Sequence, residues 1–110
     1  MSRIGCFTYN VIRAILECVI RSFGDRDTKA IFDREWVPRF ESIASVAQRK
    51  LRQIHSAARL SDLAALPGNR LEPLKGNRAG HYSIRVNDQY RVCFVWQIKD
   101  AYDVKIVDHH

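Results

Sequence analysis

Two short alternating runs on either side of a turn signal constrain this chain more than any other part of it. Tyr82, Ile84 and Val86 alternate with Ser83, Arg85 and Asn87. A period of two marks a half-buried β-strand, because successive side chains point to opposite faces of a sheet. Asn87-Asp88-Gln89 reads as a tight turn. Tyr90, Val92, Phe94 and Trp96 then alternate with Arg91, Cys93 and Val95. The expected product is a β-hairpin over residues 82–96 that carries Arg85 and Arg91. It is entered through a segment that carries Lys75, Gly76 and Arg78. Cations based on a sheet, unlike those on a loose tail, can hold a phosphodiester in a defined geometry.

The rest of the chain supplies helices and further strands. Residues 19–23 read as a short first strand. Asp25 suits a helix N-cap, where its carboxylate accepts a free N–H of the first turn. That helix runs to about Asp33, with Ala30, Ile31 and Phe32 near the core. Pro38 disfavours a helical conformation at Val37, so Trp36-Val37-Pro38 reads as loop. Phe40, Ile43, Ala47, Leu51, Ile54 and Ala58 recur at steps of three and four and form one apolar stripe, the clearest helix in the chain. His55 falls off that stripe and reads as solvated. Ser61-Asp62 starts a short turn through Leu66, and Pro67-Gly68-Asn69 breaks the chain before a strand at residues 70–74. Lys99-Asp100 is the next turn, and residues 102–107 form the last strand. Helices followed by a run of strands imply an α+β fold, with two or three helices packed on one face of a small antiparallel sheet. The other face is left to meet a ligand.

Hydrophobic residues make up 46% of the 110, enough for a single core and too many for a disordered chain. The net charge of +6 points to a polyanionic or acidic partner. Cys6, Cys18 and Cys93 are odd in number and widely spaced, which argues against a zinc cluster or a secreted disulfide framework and for a reducing cytoplasm. No apolar run approaches the roughly 18 residues of a membrane span. Arg13 and Glu17 interrupt the apolar stretch near the start, a poor core for a signal peptide.

Pro73-Leu74-Lys75-Gly76-Asn77-Arg78, then Gly80 and Tyr82-Ser83-Ile84, the pair Tyr90-Arg91 and the ending Asp108-His109-His110 together resemble the HigB-type toxins of bacterial toxin–antitoxin systems. These belong to the wider RelE/ParE superfamily. Ile20-Arg21-Ser22-Phe23 is similar to the start of such a toxin, and the likeness covers residues 19–110. The resemblance implies a compact RelE-like fold with a concave, basic sheet surface. It implies a ribosome-dependent mRNA endoribonuclease that works by transesterification, without a metal or other cofactor. The implied partners are a HigA-like helix-turn-helix antitoxin, the 70S ribosome and mRNA. Operator DNA is met only through the antitoxin, and no membrane is involved.

By that resemblance Lys75 and Arg91 hold the phosphate, and Asp108 and His110 belong to the catalytic ending. His109 stands where the family has Tyr. It can stack on a base or titrate, so either His109 or His110 can be the proton donor. Glu72 is a second departure, since some relatives carry His there. Arg78 and Arg85 can orient RNA or meet the antitoxin, while Tyr82 and Tyr90 can stack on bases or pack in the core. Residues 1–18 fit the family poorly. Ile12, Ile15, Leu16 and Val19 can line one face of an extra helix. Alternatively Val19 marks a GTG start and residues 1–18 are an upstream extension. Two rival functions remain: a non-enzymatic ParE-like gyrase poison, and an inactive toxin acting as a co-repressor. The paired titratable groups of the ending argue against a pure binder.

Overall fold

The structure, a computed structural model, describes residues 19–74 and 80–108. Expectations for residues 1–18, for Lys75 and Arg78, and for His109 and His110 lie outside that range. The described strands are β1 (Glu72–Pro73), β2 (His81–Arg85), β3 (Tyr90–Gln97) and β4 (Asp100–Asp108). They form one antiparallel sheet in chain order. The helices are α1 (Arg26–Phe32), α2 (Ala44–Ser56) and α3 (Leu60–Ala64), with a 3₁₀-helix over Pro38–Ile43. This is the expected α+β architecture.

The hairpin turns where the sequence places it. The Asn87 Oδ1 accepts the N–H groups of Gln89 and Tyr90, each at 2.8 Å. An asparagine that bonds its own backbone in this way closes a turn without help from elsewhere. β1 is only two residues long. Pro73 has no N–H to give a ladder, which suits it to a sheet edge.

β4 contains an irregularity that alternation alone does not show. Cys93 pairs with Lys105, yet Val95 pairs with Tyr102, so β4 carries one extra residue. Asp103 takes a left-handed φ of 52° there. The bulge shifts the phase, and Ala101, Val104 and Ile106 face the core. Alongside runs the expected first strand. It is joined to β4 in parallel, through bridges from Ile20 to Ala101 and from Phe23 to Val104.

Asp25 caps α1 as expected, accepting the Thr28 N–H at 2.7 Å. The Thr28 Oγ1 in turn accepts the Ile106 N–H at 2.9 Å, which ties the helix to β4. The long apolar stripe is divided between two elements. Pro38 opens the 3₁₀-helix, and α2 starts only at Ala44. Phe40, Ile43, Ala47, Leu51 and Ile54 are buried as the stripe requires. Ala58 is not: α2 ends at Ser56, and Ala57 is buried in its place. His55 is not solvated either. It is half-buried, with its ring edge-on to Phe32 at 5.2 Å and its Nδ1 accepting the Ile20 N–H at 3.4 Å.

Asn69 joins the helices to the sheet. It is fully buried. Its Oδ1 accepts from Lys50 Nζ at 2.5 Å, and its Nδ2 donates to Gln53 Oε1 and to the Leu63 carbonyl, each at 3.1 Å. Its own carbonyl accepts the Arg85 N–H at 2.6 Å. Asn69→Ala should therefore cost about 2–4 kcal/mol, since it removes three side-chain bonds and strands a buried ammonium; urea denaturation measures this. Burial, then the charges of Arg49 and Arg85, push Lys50 below the ordinary lysine value. The unfolded chain thus holds that proton more tightly. The native state should gain stability as pH rises from the lowered value to the ordinary one. Lys50→Met should lack this gain when the two proteins are denatured in parallel across that window.

Candidate active site on the open sheet face

The sheet's register sorts its side chains into two faces. Tyr82, Ile84, Val92 and Phe94 turn toward the helices and pack in or against the core. His81, Ser83 and Arg85 of β2 lie on the other face, with Arg91, Cys93 and Val95 of β3 and with Lys105 and Val107 of β4. One cross-strand row reads Glu72, Ser83, Cys93, Lys105, and the next reads Arg85, Arg91, Val107.

Arg91 is the hub of this face, and it is 6% exposed. Its Nε donates to Ser83 Oγ at 2.8 Å. Its Nη2 donates to the Arg70 carbonyl at 2.7 Å and to the Ser83 carbonyl at 3.3 Å. Glu72 Oε1 stands 3.7 Å from the same Nη2. The Nε and Nη2 edge of the fork is therefore already taken by the protein itself. Among the described residues Nη1 is the guanidinium nitrogen left without a partner. What the arrangement supplies is a rigid, largely desolvated positive charge, and a fixed charge acts more strongly than a mobile one in water. Arg70 offers its carbonyl from a left-handed backbone with φ 47°, next to the buried anchor Asn69.

The other expected site residues are spread around this hub. Arg85 pairs with Arg91 across the strands, and its guanidinium is ion-paired to the fully exposed Asp88. Such an exposed pair is weak, because water screens it, and yields readily to a ligand. Tyr90 lies on the helix side, half-buried, its ring edge-on to Phe40 at 5.7 Å. It does not share a surface with Arg91. Asp108 pairs with Tyr90 at the end of β4 and is exposed, and its Oδ2 accepts from Gln89 Nε2 at 3.1 Å. Asp108 and Arg91 thus start from opposite faces at the same end of the sheet. Of the described residues that flank positions 75 and 78, the Leu74 N–H donates to the His81 carbonyl at 2.9 Å, and the Gly80 carbonyl accepts the Trp96 N–H at 2.8 Å. Gly80 has a φ of 84°, a conformation that suits glycine.

Sequence reasoning missed Ser83, Arg70 and Asn69, which hold Arg91 directly or at one remove. It also missed Lys105. Ser83 had a signal, as a small hydroxyl on the polar phase of the hairpin. The Arg70 carbonyl had none, because a backbone acceptor carries no residue type. Among the described residues no cluster of three His, Cys, Asp or Glu side chains is placed to hold a metal. No described helix is long and apolar enough to cross a membrane.

The sheet thus holds a nearly buried arginine on the face away from the helices. Residues 19–110 match the RelE-like toxins of the type II toxin–antitoxin system HigB, and the chain belongs to that family. It is similar to Toxin HigB-1 of Vibrio cholerae, with 51% identity over 55 residues, 50% of this chain and 58% of that protein. The chain therefore aligns with less than two thirds of that relative's length. It is also similar to an uncharacterized protein of Haemophilus influenzae, with 32% identity over 68 residues, 62% of this chain and 67% of that one.

Proposed function

We propose that this protein is a ribosome-dependent mRNA endoribonuclease, neutralised by a HigA-like helix-turn-helix antitoxin. The reading is supported by membership of the HigB toxin family and, above all, by the desolvated Arg91 charge on the sheet face away from the helices. In the proposed reaction a ribose 2′-oxygen attacks the neighbouring phosphorus. The bond to the 5′-oxygen breaks, leaving a cyclic phosphate and a free 5′-hydroxyl. One group takes the proton from the 2′-OH, and another gives a proton to the leaving oxygen. Asp108, His109 and His110 share these two roles, each worth about 10²–10⁴-fold. Lys75 and Arg91 stabilise the charge that builds on the phosphoryl oxygens. Arg78 and Arg85 orient the RNA.

Induced expression of the chain should arrest growth and shorten translated mRNAs. Lys75→Ala should relieve the arrest while the protein stays folded, and purified protein in EDTA should still cut mRNA on translating ribosomes. Intact mRNAs in arrested cells, with inhibited gyrase, would point instead to a ParE-like poison.

We further propose that the toxin domain is residues 19–110. Val19 is buried, and Ile20 and Phe23 bridge to β4, which supports a domain that includes this segment. A chain begun at position 19, read as Met, should keep its toxicity and melt within about 2 °C of the full chain, since a ΔΔG near zero leaves Tm unmoved. Unfolding on truncation refutes this.

A further inference from the structure

Lys105 is a cation on the open face that the cleavage chemistry does not use. Arg91 pairs with Val107, two residues along β4 from Lys105. Lys105 is thus the diagonal neighbour of Arg91, about 7–8 Å away across the sheet. It has no carboxylate or hydrogen-bond partner among the described residues. Its stem lies against Gly24. A Cβ built on Gly24 would stand 3.0 Å from the Lys105 Cδ and 3.1 Å from its Cβ, so the chain at Gly24 leaves room for this lysine and for little else.

Lys105 borders an open cavity of about 560 Å³, whose wall also includes Leu74, His81, Cys93, Val95 and Val107. His81 is half-buried, and its Nδ1 is shut off from solvent without a hydrogen-bond partner. An orphaned buried ring nitrogen is uncommon, and a turn of the ring can satisfy it. The cavity thus joins the apolar side chains of Leu74, Val95 and Val107, a half-buried imidazole and an ammonium with no partner among the described residues. Asp103 is its carboxylate, and it lies at the bulge, beyond Lys105 from Arg91. An acidic peptide would need only the charge. A nucleotide uses all three: the wall and ring for its base, the ammonium for its phosphate.

We propose that Lys105 and His81 form a nucleotide subsite beside Arg91. Lys105 pairs with the phosphate next to the one cleaved, and the His81 ring packs against the adjoining base. The subsite rests on the RNA-cleaving reading above.

The test uses the full chain, programmed ribosomes and a short single-stranded RNA made uncleavable by a 2′-deoxy residue. Lys105→Gln should raise KM and weaken RNA binding about 5- to 10-fold, with kcat within about twofold. One phosphate contact fewer should also lower the salt slope of log affinity by about 0.7. Lys105→Arg should restore both affinity and slope. His81→Ala should weaken binding about fivefold or more, the worth of one base stacked on a ring, at an unchanged slope. Lys29→Gln, on α1 in the helical layer, should change neither. The proposal falls if the wild type cuts mRNA while Lys105→Gln keeps its KM and salt slope. It also falls if Lys105→Gln weakens only antitoxin binding. A wild type that neither binds nor cuts RNA overturns the cleavage reading itself, and the subsite with it.

Discussion

Arg91→Ala should slow mRNA cleavage by about 100- to 1,000-fold, the usual effect of losing one preorganised donor to developing charge. It should also lower stability by about 2–4 kcal/mol, because it leaves the buried Ser83 hydroxyl and the part-buried Arg70 carbonyl without their partner. The two effects separate through other variants. Ser83→Ala removes the Nε bond and keeps the charge, so it should cost about 1 kcal/mol and leave most of the activity. Arg91→Lys keeps the charge but cannot reach Ser83 and Arg70 at once, because an ammonium lacks the planar fork. It should fold, with a cleavage rate between those of Ser83→Ala and Arg91→Ala. Rates are taken per folded molecule, with the folded fraction read from circular dichroism. If folded Arg91→Ala cuts at the wild-type rate, Arg91 serves the fold alone.

That double role was only half legible in the sequence. The hairpin was readable because its signals are local: alternation on each strand, and an Asn87 that bonds the next two N–H groups but one. The Asp25 cap was readable for the same reason. Periodicity also found the face of the long helical stretch. It could not find the change from 3₁₀ to α at Ala44, since both forms bury Phe40 and Ile43 on one side. The partners of Arg91 were out of reach because Arg70 is 21 residues away and contributes only its backbone. Lys105 looked like any polar residue between apolar ones. Its meaning comes from the register that sets it diagonal to Arg91, and the bulge at Asp103 hides that register from a simple count.

Removing Asp108, His109 and His110 should abolish cleavage, with a fall of about 10⁴-fold or more if both proton transfers are lost. Binding of uncleavable RNA should stay within about threefold, because the cations proposed to hold the RNA lie elsewhere in the chain. The fold should survive as well. β4 loses only its last pair, Asp108 with Tyr90, and Tyr90 keeps its contact with Phe40. Point variants then divide the work. Asp108 already accepts a hydrogen bond from Gln89, so Asp108→Asn tests the carboxylate charge with little change of shape. His109→Tyr restores the residue usual in the family. It should keep or raise the rate if His109 mainly stacks on a base, and His110→Ala should then be the variant that fails. If His109→Tyr is dead and His110→Ala active, the proton donor is His109. If the three-residue deletion still cuts mRNA at a wild-type rate, the acid and base lie elsewhere, and Glu72, 3.7 Å from Arg91, becomes the first carboxylate to replace.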